Sequence, residues 1–172
     1  AVKFDAMNTD RIRKFGWRWA LALAILAATT VPPAFAQTAG IVTTDVLIER
    51  LGNVAALDLN IQFGVNNASV TPRAKDQMRE LGNALVSKEL SAGAFEIIGH
   101  TDASGLAATN KALSQKRAEA VRQYLIRNFG VEPARLQATG RGEERLADKR
   151  RPTHAINRLM EIRRLEAKSA SP

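Results

Sequence analysis

The chain of 172 residues has no cysteine. This excludes a disulfide scaffold, a thiolate-ligated zinc or iron–sulfur centre, a cysteine nucleophile and a lipid-modified N-terminal cysteine. Aromatic residues are scarce, six Phe, two Trp and one Tyr. The core must therefore rest on Ala, Leu, Ile and Val, and a stacking platform for single-stranded nucleic acid is disfavoured. Long apolar runs are also missing. A spanning helix wants about 20 apolar residues, and the run from Trp19 through Val31 ends after 13 at Pro32 and Pro33. No internal repeat or low-complexity segment is visible.

Charge is present in excess, a net +8 that first suggests nucleic acid. Its distribution argues otherwise. Arg11, Arg13, Lys14 and Arg18 precede the apolar run, and Ala34-Phe35-Ala36 follows the prolines. That is the three-part layout of a secretory signal, with cleavage expected before Gln37; residues 1–6 lie ahead of Met7, the expected initiator. The competing reading keeps residues 19–31 as a membrane anchor, and the mature N-terminus, read by mass spectrometry, separates the two. Residues 1–36 carry five basic and two acidic side chains, so the remaining 136 hold 20 basic against 15 acidic, a net +5 on a mixed surface whose densest basic run is Lys149-Arg150-Arg151. Nucleic acid loses its support, whereas an anionic polymer of the cell envelope would feel the same field.

Residues 37–55 read as a linker with about one helical turn, 56–165 as the folded domain and 166–172 as a frayed tail. Leu57, Leu59, Ile61 and Phe63 alternate with polar residues as a half-buried strand. Thr71-Pro72 opens a helix, the threonine capping free amides and the proline fitting the first helical position, with Ala74, Met78, Leu81 and Leu85 as its apolar stripe. Residues 94–98 form a second strand, 108–129 a helix stopping at Gly130, 136–139 a third strand and 158–165 a fourth. This βαβαββ order implies an α+β fold, an α/β sandwich with helices packed on one face of a four-stranded sheet.

The long helix breaks its own stripe. Leu113, Val121 and Leu125 are apolar, but Arg117 occupies the position between them, with Asn110 on the same face seven residues earlier. An arginine among core positions is costly unless matched, and the preceding loop supplies Asp102. Either Arg117 and Asp102 form a structural salt bridge, or they are two halves of a ligand site. In the second reading an acid takes a cation and a guanidinium fork takes a planar carboxylate, together selecting a zwitterion.

The run Gly99-His100-Thr101-Asp102-x-x-Gly105, then Asn110-x-x-Leu113-Ser114-x-x-Arg117-Ala118-x-Ala120-Val121-x-x-Tyr124-Leu125, resembles the OmpA-like peptidoglycan-binding domain shared by OmpA, Pal and MotB. Phe63-x-x-Asn66-Asn67-Ala68, Gly130-Val131-x-x-x-Arg135-Leu136, Gly140-x-Gly142-Glu143 and Asn157-Arg158 extend the resemblance over residues 56–165. It implies a mixed four-stranded sheet and non-covalent binding of the peptidoglycan stem peptide through diaminopimelate. By the resemblance Asp102 takes an ammonium group of that residue and Arg117 a carboxylate, Thr101, Asn110, Leu113 and Asn66 line the pocket, and Arg158 closes it. Strand parity lets Arg158 point to the helix side with Met160 and Ile162.

Two departures stand out. Leu159 replaces the family's second arginine, on the face shared with Glu161 and Arg163, and Thr153-His154 replaces a Gly-Arg pair, which leaves that loop's conformation and ligand contacts open. Arg150-Arg151-Pro152 reads as a solvated face. The resemblance further implies an exported protein of the Gram-negative envelope, periplasmic and associated with peptidoglycan, with the outer membrane as the alternative place. Its partners would be the stem peptide and other envelope proteins, with no nucleic acid, and membrane contact only if residues 19–31 are retained. In that alternative the domain is the wall-anchoring arm of an inner-membrane, stator-like complex. No cofactor is expected. His100, Asp102 and His154 lack the further ligand and supporting shell of a metal site, so His100 is expected to order its loop by a hydrogen bond. Ser104 and Ser114 have no evident histidine partner, so no enzyme is expected.

Overall fold

The computed structural model describes residues 40–64 and 67–166. The expected signal segment, the first residues of the expected linker, Asn66 and nearly all of the expected tail lie outside them. In chain order the elements are α1 (Thr44–Asn53), β1 (Ala56–Leu59), α2 (Pro72–Val86), β2 (Ala94–His100), α3 (Ala107–Phe129), β3 (Leu136–Gly142) and β4 (Met160–Leu165). The sheet order is β1-β4-β2-β3. β4 runs antiparallel to both β1 and β2, and β3 runs parallel to β2, so the sheet is mixed and the fold α+β. No helix among the described residues is long and apolar enough to cross a membrane.

Phe95, Ile97, Met160 and Ile162 alternate onto the helix-covered face and join Met78, Leu81, Leu85, Ala118, Val121 and Leu125 in one core. α2 starts as the sequence implies: Pro72 opens it and the Thr71 hydroxyl accepts from the Ala74 amide. α3 lies close against the sheet because Gly99 and Gly140 have no side chain. A Cβ at either would collide with the backbone of Ser114 or Gln115.

The linker expectation for residues 37–55 needs correction. The stretch holds a ten-residue helix, α1, whose Leu47 and Leu51 are fully buried in the main core. It is held by α2, where the buried Gln77 side chain accepts from Val42 N–H at 2.7 Å and donates to Val42 C=O at 2.9 Å. The Glu80 carboxylate accepts from both the amide and the hydroxyl of Thr44, at 2.9 and 2.6 Å. Packing across the chain, rather than local periodicity, makes this helix.

The first and fourth strands are shorter than expected. β1 leaves its pairing with β4 after Leu59, and the chain turns at Asn60, where Ile61 N–H donates to Leu59 C=O at 3.2 Å. Ile61 and Phe63 still pack inward, and Phe63 bridges Val70 to close a small loop. Before β4, residues Ala155–Asn157 form a short 3-10 turn, so Arg158 stands outside the strand. The fully buried Asn157 organises this connection: its amide donates to Arg151 and Pro152 carbonyls at 2.8 and 3.0 Å, and its oxygen accepts from Asp148 N–H at 2.7 Å.

The other face of the sheet carries Asp58, Glu96, Ile98, His100, Glu161 and Arg163, by the alternation of the strands. His100 is the last residue of β2, and its Nε2 pairs across the sheet with Glu161 at 3.1 Å. It does not order the loop through its ring, as expected, because strand parity aims it at β4.

Candidate functional site

Thr101, Asp102, Asn110, Leu113, Arg117 and Arg158 line one cavity of about 250 Å³, together with Phe63, Gly64 and Ser104. The elements explain the convergence. β2 ends at His100, so the next two residues leave the sheet directly under the first turns of α3. Thr101 N–H donates to Gly142 C=O at 2.8 Å and ties this exit to the end of β3. Asn110 and Arg117, two turns apart on α3, then face the same space.

Asp102 is 4% exposed. Its Oδ1 accepts from the Ser104 amide at 3.0 Å and from the Ser104 hydroxyl, and its Oδ2 accepts from Arg158 Nη1 at 2.6 Å. Burial pushes the carboxyl up, but the bonds from Ser104 and Arg158 outweigh it and hold the group below the usual aspartate range. At neutral pH it is a buried anion.

Arg117 is 6% exposed and has no carboxylate partner among the described residues. Nε donates to Asn67 C=O at 3.0 Å and Nη2 to Gly64 C=O at 3.3 Å, with the guanidinium 5.2 Å from the Phe63 ring centre. Burial first, then repulsion from Arg158, lower its affinity for its proton against the pull of Asp102; a guanidinium nonetheless stays charged. The structural salt bridge between Arg117 and Asp102 is therefore not formed. Arg158 takes that place, while Arg117 braces the loop after β1 through carbonyls.

Asn110 donates to Asp102 C=O at 3.3 Å and to the Glu143 carboxylate at 2.6 Å, and so clamps the Asp102 loop to the end of β3. The Thr101 hydroxyl is buried and has no hydrogen-bond partner, a cost that a ligand group in the cavity would remove. Leu113 adds a half-buried apolar wall. Asn66 lies outside the described residues.

Sequence reasoning missed Ser104, Phe63, Gly64 and Glu143. Ser104 was readable, since an aspartate two residues before a serine commonly accepts the serine amide in an Asx turn. The Gly64 and Asn67 carbonyls leave no trace in residue identity, because any residue supplies a carbonyl. His100 and His154 are not drawn together with Asp102, and no group of three metal-ligating side chains forms among the described residues.

The arrangement can hold a small molecule that offers a cation to Asp102 and an anion to Arg117 and Arg158. Comparison with known proteins agrees with the architecture. Outer membrane porin F of Pseudomonas fluorescens is 34% identical over 113 residues, which is 64% of this chain and 34% of that protein; the chain spans about a third of the length of the porin F relatives it matches. The peptidoglycan-associated lipoprotein of Burkholderia pseudomallei is similar at 28% identity and a TM-score of 0.52, covering 65% of this chain and 91% of that one. The cell wall anchor of the T6SS from Pseudomonas aeruginosa is similar at 26% identity and a TM-score of 0.51, covering 62% and 78%. The profile of the OmpA family matches residues 62–158, from just after β1 to the arginine that meets Asp102. With its mixed sheet, and a family match over more than half its length, the chain belongs to the OmpA family.

Proposed function

We propose that the protein binds peptidoglycan non-covalently through the diaminopimelate of the stem peptide, as an exported envelope protein associated with the wall in the periplasm. The observation that carries this reading is the pairing of two opposite charges on one small cavity: the buried carboxylate of Asp102 and the buried guanidinium of Arg117, which has no carboxylate partner among the described residues. The side-chain end of diaminopimelate carries an ammonium and a carboxylate on one carbon, and so presents the complementary pair. Family membership, and relatives described as a peptidoglycan-associated lipoprotein and a cell wall anchor, support the same reading.

Binding follows from exchange. In the free protein Arg158 neutralises Asp102. The Arg158 side chain is half exposed, so it can turn toward an incoming carboxylate while the ligand ammonium takes its place on Oδ2. Arg117 stays fixed by the Gly64 and Asn67 carbonyls and receives the same carboxylate, bidentate contact being the strong form of this pair. The Thr101 hydroxyl gains a partner. Nothing in the site turns the ligand over, so the association is reversible.

Co-sedimentation with insoluble sacculi containing diaminopimelate tests the reading. Asp102→Ala and Arg117→Ala are each expected to lose most of the pelleted protein, at least about tenfold in affinity, and free diaminopimelate is expected to compete. Both variants folding and pelleting like the wild type would overturn the assignment.

A further inference from the structure

On the other side of Arg117 and Arg158 lies a second and larger cavity, about 570 Å³. It shares Phe63, Arg117 and Arg158 with the first, so the two guanidinium groups border both spaces. The difference between them is charge. The first cavity contains the carboxylate of Asp102; the second, among the described residues, is lined by two arginines and two histidines and by no acidic side chain. Asn60, Gln62, Ile61, Ile156 and Met160 are among its other lining residues.

His154 belongs to the Thr153-His154 departure from the family pattern. Its Nδ1 accepts from the Ile156 amide at 3.2 Å, which fixes the ring and places the proton of the neutral imidazole on Nε2, as a donor. One buried group also bears on a ligand: with Nε2 of His100 turned to the Glu161 carboxylate, Nδ1 of the neutral ring is left as an acceptor, suited to a peptide N–H. His100, 2% exposed, lines this cavity and has no hydrogen-bond partner at Nδ1.

We propose that this acid-free cavity is a second subsite of the same binding site, taking the free carboxylate of an acidic amino-acid residue adjacent to the zwitterionic one in the bound peptide. The inference rests on the reading of Asp102 and Arg117 as a zwitterion site. His154 donates to that carboxylate, Arg158, which borders both cavities, is shared between it and the carboxylate of the zwitterionic residue, and Asn60 and Gln62 meet the peptide linkage beside it. An acid-free cationic wall discriminates by charge: an ionised carboxylate gains charge-assisted bonds there, whereas a neutral amide at the same position presents an NH₂ group to donors. In the stem peptide the residue before diaminopimelate is a γ-linked glutamate, whose α-carboxylate is free unless amidated. The second subsite therefore makes the protein a reader of that amidation as well as of diaminopimelate.

Calorimetry on the full chain distinguishes the two layers with three probes: free diaminopimelate, the tripeptide L-alanyl-γ-D-glutamyl-diaminopimelate, and the same tripeptide with the glutamate α-carboxylate amidated. The acid tripeptide is expected to bind about tenfold more tightly than its amide, and His154→Ala to reduce that ratio to about threefold or less. Asp102→Asn is expected to weaken all three probes. Equal affinity for the two tripeptides would overturn the second subsite while leaving the Asp102 reading intact. Failure of the wild type to bind any of the three would overturn both.

Discussion

Asp102 and Glu161 are buried to the same extent, each 4% exposed, and both are held below the usual carboxylate range, yet their surroundings differ in kind. Glu161 sits on the face of the sheet away from the helices, and every side of it is met. Arg163 donates at 2.7 Å, His100 pairs at 3.1 Å and Arg145 donates at 3.2 Å while also forking onto Asp58 at 2.7 and 2.9 Å. Asp102 has one half-exposed arginine, one serine and an open cavity. The first carboxylate is saturated by protein; the second keeps room for something else. Burial and a lowered pKa therefore do not single out a binding group by themselves. Incomplete coordination beside a cavity does.

The arginines repeat the contrast. Arg135 spends its donors on the carbonyls of Leu85, Leu90 and Gly93, at 2.8 to 2.9 Å, and pins the turn before β3 to the end of α2. Arg117 also uses carbonyls, but it faces the cavity with part of its fork and has Arg158 as a neighbouring positive charge. Two like charges near one cavity are tolerable beside Asp102 and become favourable when an anion arrives.

Breaking each carboxylate separates structure from binding most strongly. Glu161→Ala leaves Arg145, Arg163 and His100 facing one another without their common anion. Because both arginines are partly exposed, the cost is about 2 kcal/mol, below the about 3–5 kcal/mol of a fully buried broken pair. Urea unfolding is expected to show that loss while sacculus binding at a temperature below the transition stays within about twofold. Asp102→Ala is expected to show the reverse, about 1 kcal/mol of stability and most of the binding. If Asp102→Ala destabilised as strongly as Glu161→Ala, the distinction between a saturated and an open carboxylate would collapse.

The pH dependence divides the two regions further, by a smaller amount. Burial is the largest influence on His100 and lowers its pKa, against the raising effects of the Glu161 hydrogen bond and charge and of Asp58, with Arg145 acting in the same direction as burial. The unfolded histidine, with its ordinary pKa of about 6.5, then binds protons that the folded one refuses. Stability is full above about pH 6.5 and falls as the pH drops from there toward the folded pKa, by at most about 1.4 kcal/mol per pH unit. Asp102 and Glu161 behave as depressed carboxylates, so their contribution is present above the ordinary carboxylate range and disappears only as the pH falls through their folded values. Urea midpoints from pH 7.5 to 5 are expected to fall in the wild type and to flatten in His100→Gln. An unchanged slope in that variant would assign the effect elsewhere.

The same contrast explains what could be read in the sequence. The helices α2 and α3 and the inner strand β2 announce themselves through Thr71-Pro72, Gly130 and recurring apolar positions, since these elements carry their own local signals. The helix α1 does not, because Leu47 and Leu51 gain a core only once Gln77 and Glu80 of α2 have captured the preceding residues. On the site side, the interruption of the α3 stripe by Arg117 exposed a charged group on a core face. The identity of its partners stayed hidden. Asp102 and Arg158 are 56 residues apart and meet through a 3-10 turn organised by Asn157, which no periodicity encodes. Glu161 was invisible for a related reason: its parity places it on the face away from the helices, where a charged residue reads as solvated. Only the assembled His100, Arg145 and Arg163 cover it.

Ser104→Ala tests the smallest difference between the two carboxylates. The Ser104 amide at 3.0 Å survives the substitution, so the Asx turn remains and only the hydroxyl is lost from Oδ1. One hydrogen bond to a charged acceptor in a partly exposed turn is worth about 1 kcal/mol or less, so urea unfolding is expected to shift little. The carboxyl itself should respond more clearly. Ser104 is the leading source of the bonds that offset burial at Asp102; without its hydroxyl the group is expected to titrate higher, as read by carbon NMR of the side chain. Sacculus binding, which requires the ionised form, should then fail at a higher pH on acidification than in the wild type, while changing little at pH 7.5. Glu161 keeps all three partners in this variant, so its titration should not move. A shift at both carboxylates would mean that they are electrostatically joined through the sheet, and that the open and saturated sites are one network.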